Sequence, residues 1–218
     1  MSFSGSPRLI KGGIVLLDAD SGAMLRVISL QYNPDSITRT LQAQSVSTQE
    51  HNRSEPLRLK GPPIETFKLD AELDATDQLE FPDQNQAAVQ VGLLPQLSVL
   101  ETIIYPSSQT ILSNHALAQS GVLEIAPMEA PLTLFVWNSS RIVPVRLTDF
   151  SVTEEAFDPS LHPIRAKVSL GMRVLSVDDF PFDHRGTGLY MVYQQQKENL
   201  ARKGPAATLS ALGLGSLS

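Results

Sequence analysis

Between Ile164 and Val174 every second residue is apolar: Ile164, Ala166, Val168, Leu170, Met172 and Val174 alternate with positions that include Arg165, Lys167, Ser169 and Arg173. A period of two held over this length fits an antiparallel strand with one face on a core and one in water, and it does not fit a helix. Upstream, Val143, Val145 and Leu147 alternate with Ile142, Pro144, Arg146 and Thr148. The chain then breaks at Phe157-Asp158-Pro159 and at His162-Pro163. Proline disfavours helical geometry in the residue before it, so the two runs are predicted to fold back as a hairpin.

The same reading applies from the other end of the chain. Ile14 to Leu17 and Met24 to Tyr32 are apolar runs separated by Asp18-Ala19-Asp20-Ser21-Gly22, the pattern of a hairpin. After Asn33-Pro34, the alternation of Ile37, Leu41 and Ala43 with Ser36, Thr38, Thr40 and Gln42 predicts a third strand. Residues 45–63 are poor in apolar side chains and end in Gly61-Pro62-Pro63, so they read as a long loop, of the kind that binds a partner or is partly disordered. A fourth strand opens at Ile64, with Phe67, Leu69, Ala71 and Leu73 on one face and Thr66, Lys68, Asp70 and Glu72 on the other.

Past Phe81-Pro82-Asp83 the period lengthens. Ala87, Val91, Leu94, Leu97, Leu100 and Ile104 recur at helical steps, and Pro95 should kink that helix or restart it near Leu94. A short helix over 108–117 follows, then a turn-rich link to the apolar strand Leu132 to Trp137. Near the end, Leu189, Val192, Tyr193, Gln196 and Leu200 form a helical stripe, with Lys197, Arg202 and Lys203 towards the helix C-terminus. Beyond Gly204-Pro205 only Ala, Thr, Leu, Ser and Gly remain, which reads as a tail that orders against a partner. The domain reading is therefore a β-rich body over 1–182, with the loop 45–63 and a helical insertion over 83–117, followed by a helix and flexible tail over 183–218.

Composition narrows the chemistry. Over 218 residues, 17 basic and 23 acidic side chains leave a net charge of −6, which argues against a nucleic-acid backbone as the main partner. There is no cysteine, so disulfides, thiolate metal sites and cysteine nucleophiles are excluded. No run approaches the roughly twenty apolar residues of a membrane span, and residues 1–11 lack an apolar segment of signal-peptide length, so synthesis and folding in a cytoplasm are expected. The acids Asp149, Glu154, Glu155 and Asp158 fall at a strand end and turn, without a base held against a nucleophile. His51, His115, His162 and His184 have no short ligand spacing. Gly12-Gly13 and Gly186-Thr187-Gly188 lack the pattern of a phosphate loop, and Trp137 and Tyr105 read as core aromatics. No enzyme, metal or cofactor is expected.

Four stretches in order carry a resemblance: Gln31-Tyr32-Asn33-Pro34-Asp35-Ser36-Ile37, Phe67 to Leu73, Leu134-Phe135-Val136-Trp137, and Phe157-Asp158-Pro159 with His162-Pro163-Ile164-Arg165-Ala166-Lys167-Val168. Over about 13–177 the chain resembles the tube and baseplate adaptor proteins of phage-tail-like contractile injection systems. The resemblance implies a non-enzymatic structural protein with an antiparallel β-barrel or sandwich, a flanking helix and a C-terminal helix. It further implies a ring, expected to be a hexamer, that joins a spike hub to the inner tube and other baseplate subunits inside an injection particle made in a bacterial cytoplasm. The LysM domain that many members carry has no counterpart after Val177.

The expected contact residues are Arg53, Arg58 and Lys60 on the loop, Arg165 and Lys167 on the last strand, and Leu189, Val192, Tyr193 and Leu200 on the last helix. Arg165, Lys167 and Arg173 are expected to face acids such as Asp70 and Glu72 across subunit edges. Two outcomes are open for the last helix, ordering against a neighbouring subunit or packing on its own body. A stand-alone ligand- or carbohydrate-binding β-sandwich is the alternative function.

Overall fold

The computed structural model describes residues 9–44, 58–121 and 130–216. Seven strands form one antiparallel sheet: β1 (Gly13–Leu17), β2 (Met24–Ser29), β3 (Ile37–Gln42), β4 (Ile64–Asp74), β5 (Leu132–Asn138), β6 (Arg141–Phe157) and β7 (Pro163–Val174). Their spatial order is β2-β1-β5-β6-β7-β4-β3. The mainly β, α+β class expected from the periodicity is the observed one. Hydrogen bonds join neighbours along that order but not β2 to β3, which are the two outer strands.

Register turns the alternation into a core. Phe67, Leu69, Ala71 and Leu73 on β4 stand opposite Met172, Leu170, Val168 and Ala166 on β7. Across the other edge of β7, Leu170 and Val168 meet Phe150 and Val152 on β6. Ile14 on β1 pairs with Phe135 on β5, which pairs with Val143. One side of the sheet is thus a continuous apolar surface, and its residues form a single buried cluster with Leu93, Leu97, Leu100 and Ile103 from the helical insertion and Tyr190 and Tyr193 from the last helix. The β6–β7 turn is tied by Asp158, whose Oδ1 accepts from the backbone N–H of Ser160 and His162 and whose Oδ2 lies 2.9 Å from His162 Nδ1.

The helical insertion comprises α1 (Thr76–Leu79), a short 3₁₀ turn (Pro82–Gln84), α2 (Gln86–Val91), α3 (Leu94–Glu101) and α4 (Ser108–Gln119). The interruption expected near Leu94 is present, but its cause is Gly92 rather than Pro95. Gly92 has φ +57°, and a Cβ there would lie 2.4 Å from the Pro163 carbonyl oxygen, so backbone meets backbone at this point. Leu93 N–H donates to that same carbonyl at 2.9 Å. Pro95 sits in the first turn of α3, where its missing N–H costs nothing. The restart also shifts the buried face, to Ala88, Leu93, Leu97, Leu100 and Ile103, while Leu94 and Ile104 are exposed. Tyr105, expected in the core, is 67% exposed because it follows the end of α3.

The motif Gln31 to Pro34 extends the sheet with side chains. Where β2 stops at Ser29, the Gln31 amide donates to Asp74 O (2.6 Å) and its carbonyl accepts from Asp74 N–H (3.0 Å), imitating a strand pair. Asn33 does the same for the segment before β1, accepting from Gly12 N–H and donating to Ile10 O. Trp137 is half-buried against Gly12 and Phe135, as expected of a core aromatic.

Val168 has no exposed surface, so Val168→Asp places an unpaired charge in the core, at several kcal/mol against a total stability of about 5–15 kcal/mol. The variant is expected to be insoluble or to lose its thermal transition. Arg165→Ala, on the opposite face of the same strand, should cost less than about 1 kcal/mol. Denaturant titration of the two side by side checks the register.

Candidate functional site

The last helix, α5 (Arg185–Ala201), answers the question that the sequence leaves open: it packs on its own sheet. His184 caps its N-terminus, accepting from Gly186 N–H through Nδ1 at 3.0 Å, and stacks on Phe180. Thr187 Oγ1 donates to Pro181 O at 2.9 Å, fixing the approach of the chain to the helix. Gly186, Thr187, Tyr190 and Tyr193 are the buried residues. The stripe expected from the sequence was rotated: Val192 and Leu200 are exposed and Leu189 is half-buried, so only Tyr193 of that stripe lies in the core. Of the two outcomes open for α5, packing on its own body is the one observed, and Tyr193, expected at a contact surface, is 2% exposed.

What draws α5 down is a carboxylate. Glu65, one position after the start of β4, shares the parity of Phe67 and is 2% exposed. Its Oε1 accepts from Tyr193 Oη at 2.7 Å and its Oε2 from Lys197 Nζ at 2.8 Å. Arg39 Nε on β3 lies 3.8 Å from Oε1, and Lys197 Nζ sits 4.0 Å above the Tyr193 ring. A buried carboxylate without donors is costly, so this cluster is stable only with α5 in place. Burial, then the hydrogen bond to Glu65, pushes the Tyr193 hydroxyl well above its ordinary value; burial likewise raises Tyr190. The signal for Glu65 is nonetheless present in the sequence, as a carboxylate on the apolar parity of a strand.

The expected contact cations occupy three settings. Arg53 lies outside the described residues, as does most of the loop 45–63, while Arg58 and Lys60 stand exposed at its end. Arg165 and Lys167 are spent within the sheet: Arg165 Nε donates to Asp74 Oδ2 at 3.0 Å, and Lys167 Nζ is 3.9 Å from Glu72. Arg173 pairs with Asp179 at 2.9 Å. These are pairs within one chain, directly opposite in the β4–β7 register for Glu72 and Asp74. The acids proposed as a cluster are also separated in role: Asp158 ties its turn, and Asp149 sits at a bulge in β6 against Gly171.

Among the described residues, several exposed surfaces are apolar. On β2, Met24, Leu25 and Val27 are exposed, Met24 at 67% and Val27 at 58%, and Leu41 is exposed on β3. α4 has no buried residue and exposes Ile111, Leu112 and Leu117. An apolar cavity of about 360 Å³ opens beside the N-terminal end of α5, between Ala19, Ile103, Ile104, Pro131, Leu132 and Phe180. On the polar face of the sheet a wider groove of about 700 Å³ is lined by Ser36, Thr38, Lys68, Asp70, Asp149 and Ser151. Among the described residues no group of three or more His, Cys, Asp or Glu could hold a metal ion, and no helix is long and apolar enough to cross a membrane.

Tyr193→Phe removes one of the donors to Glu65 and should cost about 1–3 kcal/mol. Because the folded state raises the Tyr193 hydroxyl, its contribution is complete below the unfolded value of 10.0 and is lost as pH rises through the folded value. Alkaline unfolding should therefore be less steep with pH in the Phe variant than in the parent. A chain ending at Asp183, lacking Tyr190 and Tyr193, should be destabilised or insoluble; chemical denaturation at several pH values and solubility on expression check both.

No family model matches the chain, and no curated protein matches it. Two solved assemblies contain chains similar over 75% of this one and 90% of their own length: the tail of an empty gene transfer agent particle, refined helically with C6 symmetry, at 14% identity and a TM-score of 0.30, and the virion of a native gene transfer agent particle, at 11% identity and a TM-score of 0.29.

Proposed function

We propose that this chain is a non-enzymatic structural subunit of a phage-tail-like contractile injection system, a baseplate or tube component that forms a ring joining the spike hub to the inner tube and other baseplate subunits. The motif resemblance from Gln31 to Val168 suggests the family. The observation that carries the reading is the pair of outer strands, β2 and β3, each of which has a described strand on one side only. Soluble monomers blunt outer strands with charge, proline or a covering element, because an apolar edge templates pairing with another chain. β2 offers instead Met24, Leu25 and Val27 with one cation, Arg26. β2 and β3 stand at opposite ends of one sheet, so one copy can present β2 where the next presents β3. Such a contact is heterologous, and it closes into a ring, here expected to be sixfold, when the rotation permits.

α3 and α5 pack on the apolar face of the sheet, and no described helix packs on the polar face with its paired charges. The alternative of a stand-alone carbohydrate-binding sandwich would want aromatic platforms in a groove. The polar groove offers hydroxyls and charges, with Phe150 its one aromatic among the described residues.

Purification of the tagged chain from the cell that makes it, followed by electron microscopy, tests the proposal. Rings or tubes co-purifying with hub and tube subunits are expected; a chain recovered only as a monomer overturns it. Val27→Glu, at an exposed position, should leave the melting temperature within a few degrees of the parent while excluding the chain from the particle.

A further inference from the structure

β2 and β3 end the strand order without pairing to each other, yet side chains tie the two ends of the sheet together. At one end of this seam the Gln31 amide, just beyond β2, exchanges two hydrogen bonds with the backbone of Asp74, the last residue of β4. At the other end lie Gly22, in the β1–β2 turn, and Glu65, at the start of β4. α5 crosses between them. Gly22 has φ +65°, and a Cβ on it would overlap the Arg185 guanidinium, so the first side chain of α5 rests directly on the turn. Roughly two and three turns further along the helix, Tyr193 and Lys197 hold Glu65, with Arg39 of β3 beside the same carboxylate.

These contacts outline a V. Its vertex is the Gln31–Asp74 pair, from which β2 and β4 run back towards Gly22 and Glu65, and α5 spans the open side. Neighbouring strands differ widely in twist, over roughly −10 to −35°, so a sheet of seven strands is soft in its curvature. The helix has a fixed rise, roughly 12 Å from Arg185 to Tyr193 and roughly 18 Å from Arg185 to Lys197. The stiff member therefore sets the opening of the soft one. Its two ends are anchored differently. Releasing the Glu65 end leaves a carboxylate without donors in the core, whereas the Arg185 end is exposed and rests on the surface of the turn.

We propose that α5 is a strap that fixes the spacing between the β1–β2 and β3–β4 hairpins, with Arg185 and Lys197 as its positioning residues. The device belongs to the single chain and needs no partner. In the ring proposed above, whose contacts are β2 and β3, it also fixes the rotation from one copy to the next. That consequence alone rests on the proposed function.

Spin labels on Val27→Cys and Thr40→Cys, exposed positions on the two outer strands, test it, since the chain has no cysteine of its own. The doubly labelled full-length chain is diluted into unlabelled parent, so that electron double resonance reads only distances within one copy. The parent should give one narrow distance distribution. Arg185→Ala, which removes the side chain on the turn, and Lys197→Met, which removes a donor to Glu65, should each broaden the distribution and move its mean. Val152→Ala, on β6 against the core, should lower the melting temperature and leave the distribution as in the parent. A broad distribution in the parent overturns the proposal, as does an unchanged distribution in either strap variant that folds; Arg185→Ala decides alone if Lys197→Met does not fold. Equal broadening in Val152→Ala also overturns it, by making the effect one of general loosening. A failed strap leaves the ring reading standing, and a strap that passes in a chain recovered only as a monomer overturns the ring and keeps the strap.

Discussion

Glu65 is the constraint on which the rest of the molecule depends. A carboxylate placed on the apolar parity of a central strand has to find donors or destabilise the fold, because the low dielectric of the core gives it no water to turn to. Tyr193 and Lys197 supply them from α5, and Arg39 stands nearby on β3. The same contact that satisfies the acid lays Tyr190 and Tyr193 over the sheet and closes the buried cluster. A helix with a modest apolar stripe is thereby held in one position rather than sliding along the apolar face. That placement in turn fixes where the cavity opens and where the tail leaves.

The polar face is organised by the opposite economy. Lys167 against Glu72 and Arg165 against Asp74 lie across the β4–β7 ladder, and Ser169 donates to Asp70 in the same register. Exposed pairs of this kind contribute little to stability. Exposed apolar side chains lie elsewhere, on β2 and on α4. An assembly subunit differs from a monomer in where such surface is left uncovered, more than in how much of it there is.

The Gln31 to Pro34 segment shows how a short motif can be structural without being catalytic. Two side-chain amides, each with a donor and an acceptor, replace backbone pairing where β2 has ended, one on Asp74 and one on the segment before β1. Substituting either amide by a carboxylate keeps the size and loses the donor, so amides are required there for a reason of hydrogen-bond inventory.

Strand existence, strand parity and turn positions were written in the sequence, because alternation is a local property: each side chain declares its face by its own transfer free energy, and Asp, Gly and Pro declare the breaks. The paired runs 141–157 and 163–174, the β1–β2 hairpin and the apolar faces of β4 and β7 follow from that alone. The tertiary structure decided three further matters. Strand order, with β1 beside β5 and β4 beside β7, is the sum of many weak cross-strand contacts between distant segments, and no single position encodes it. The break at Gly92 goes with the approach of the Pro163 carbonyl, a contact across 71 positions; Leu97 and Leu100 are buried as the period requires, while Ala88, Leu93 and Ile103 take the inside places expected of Ala87, Leu94 and Ile104. And the face of α5 was chosen by Glu65: Tyr193 belongs to both periodic stripes, Leu189, Val192 and Leu200 on one side of it and Gly186, Thr187 and Tyr190 on the other, and the buried carboxylate 128 residues away in sequence, which takes the Tyr193 hydrogen bond, selects the second.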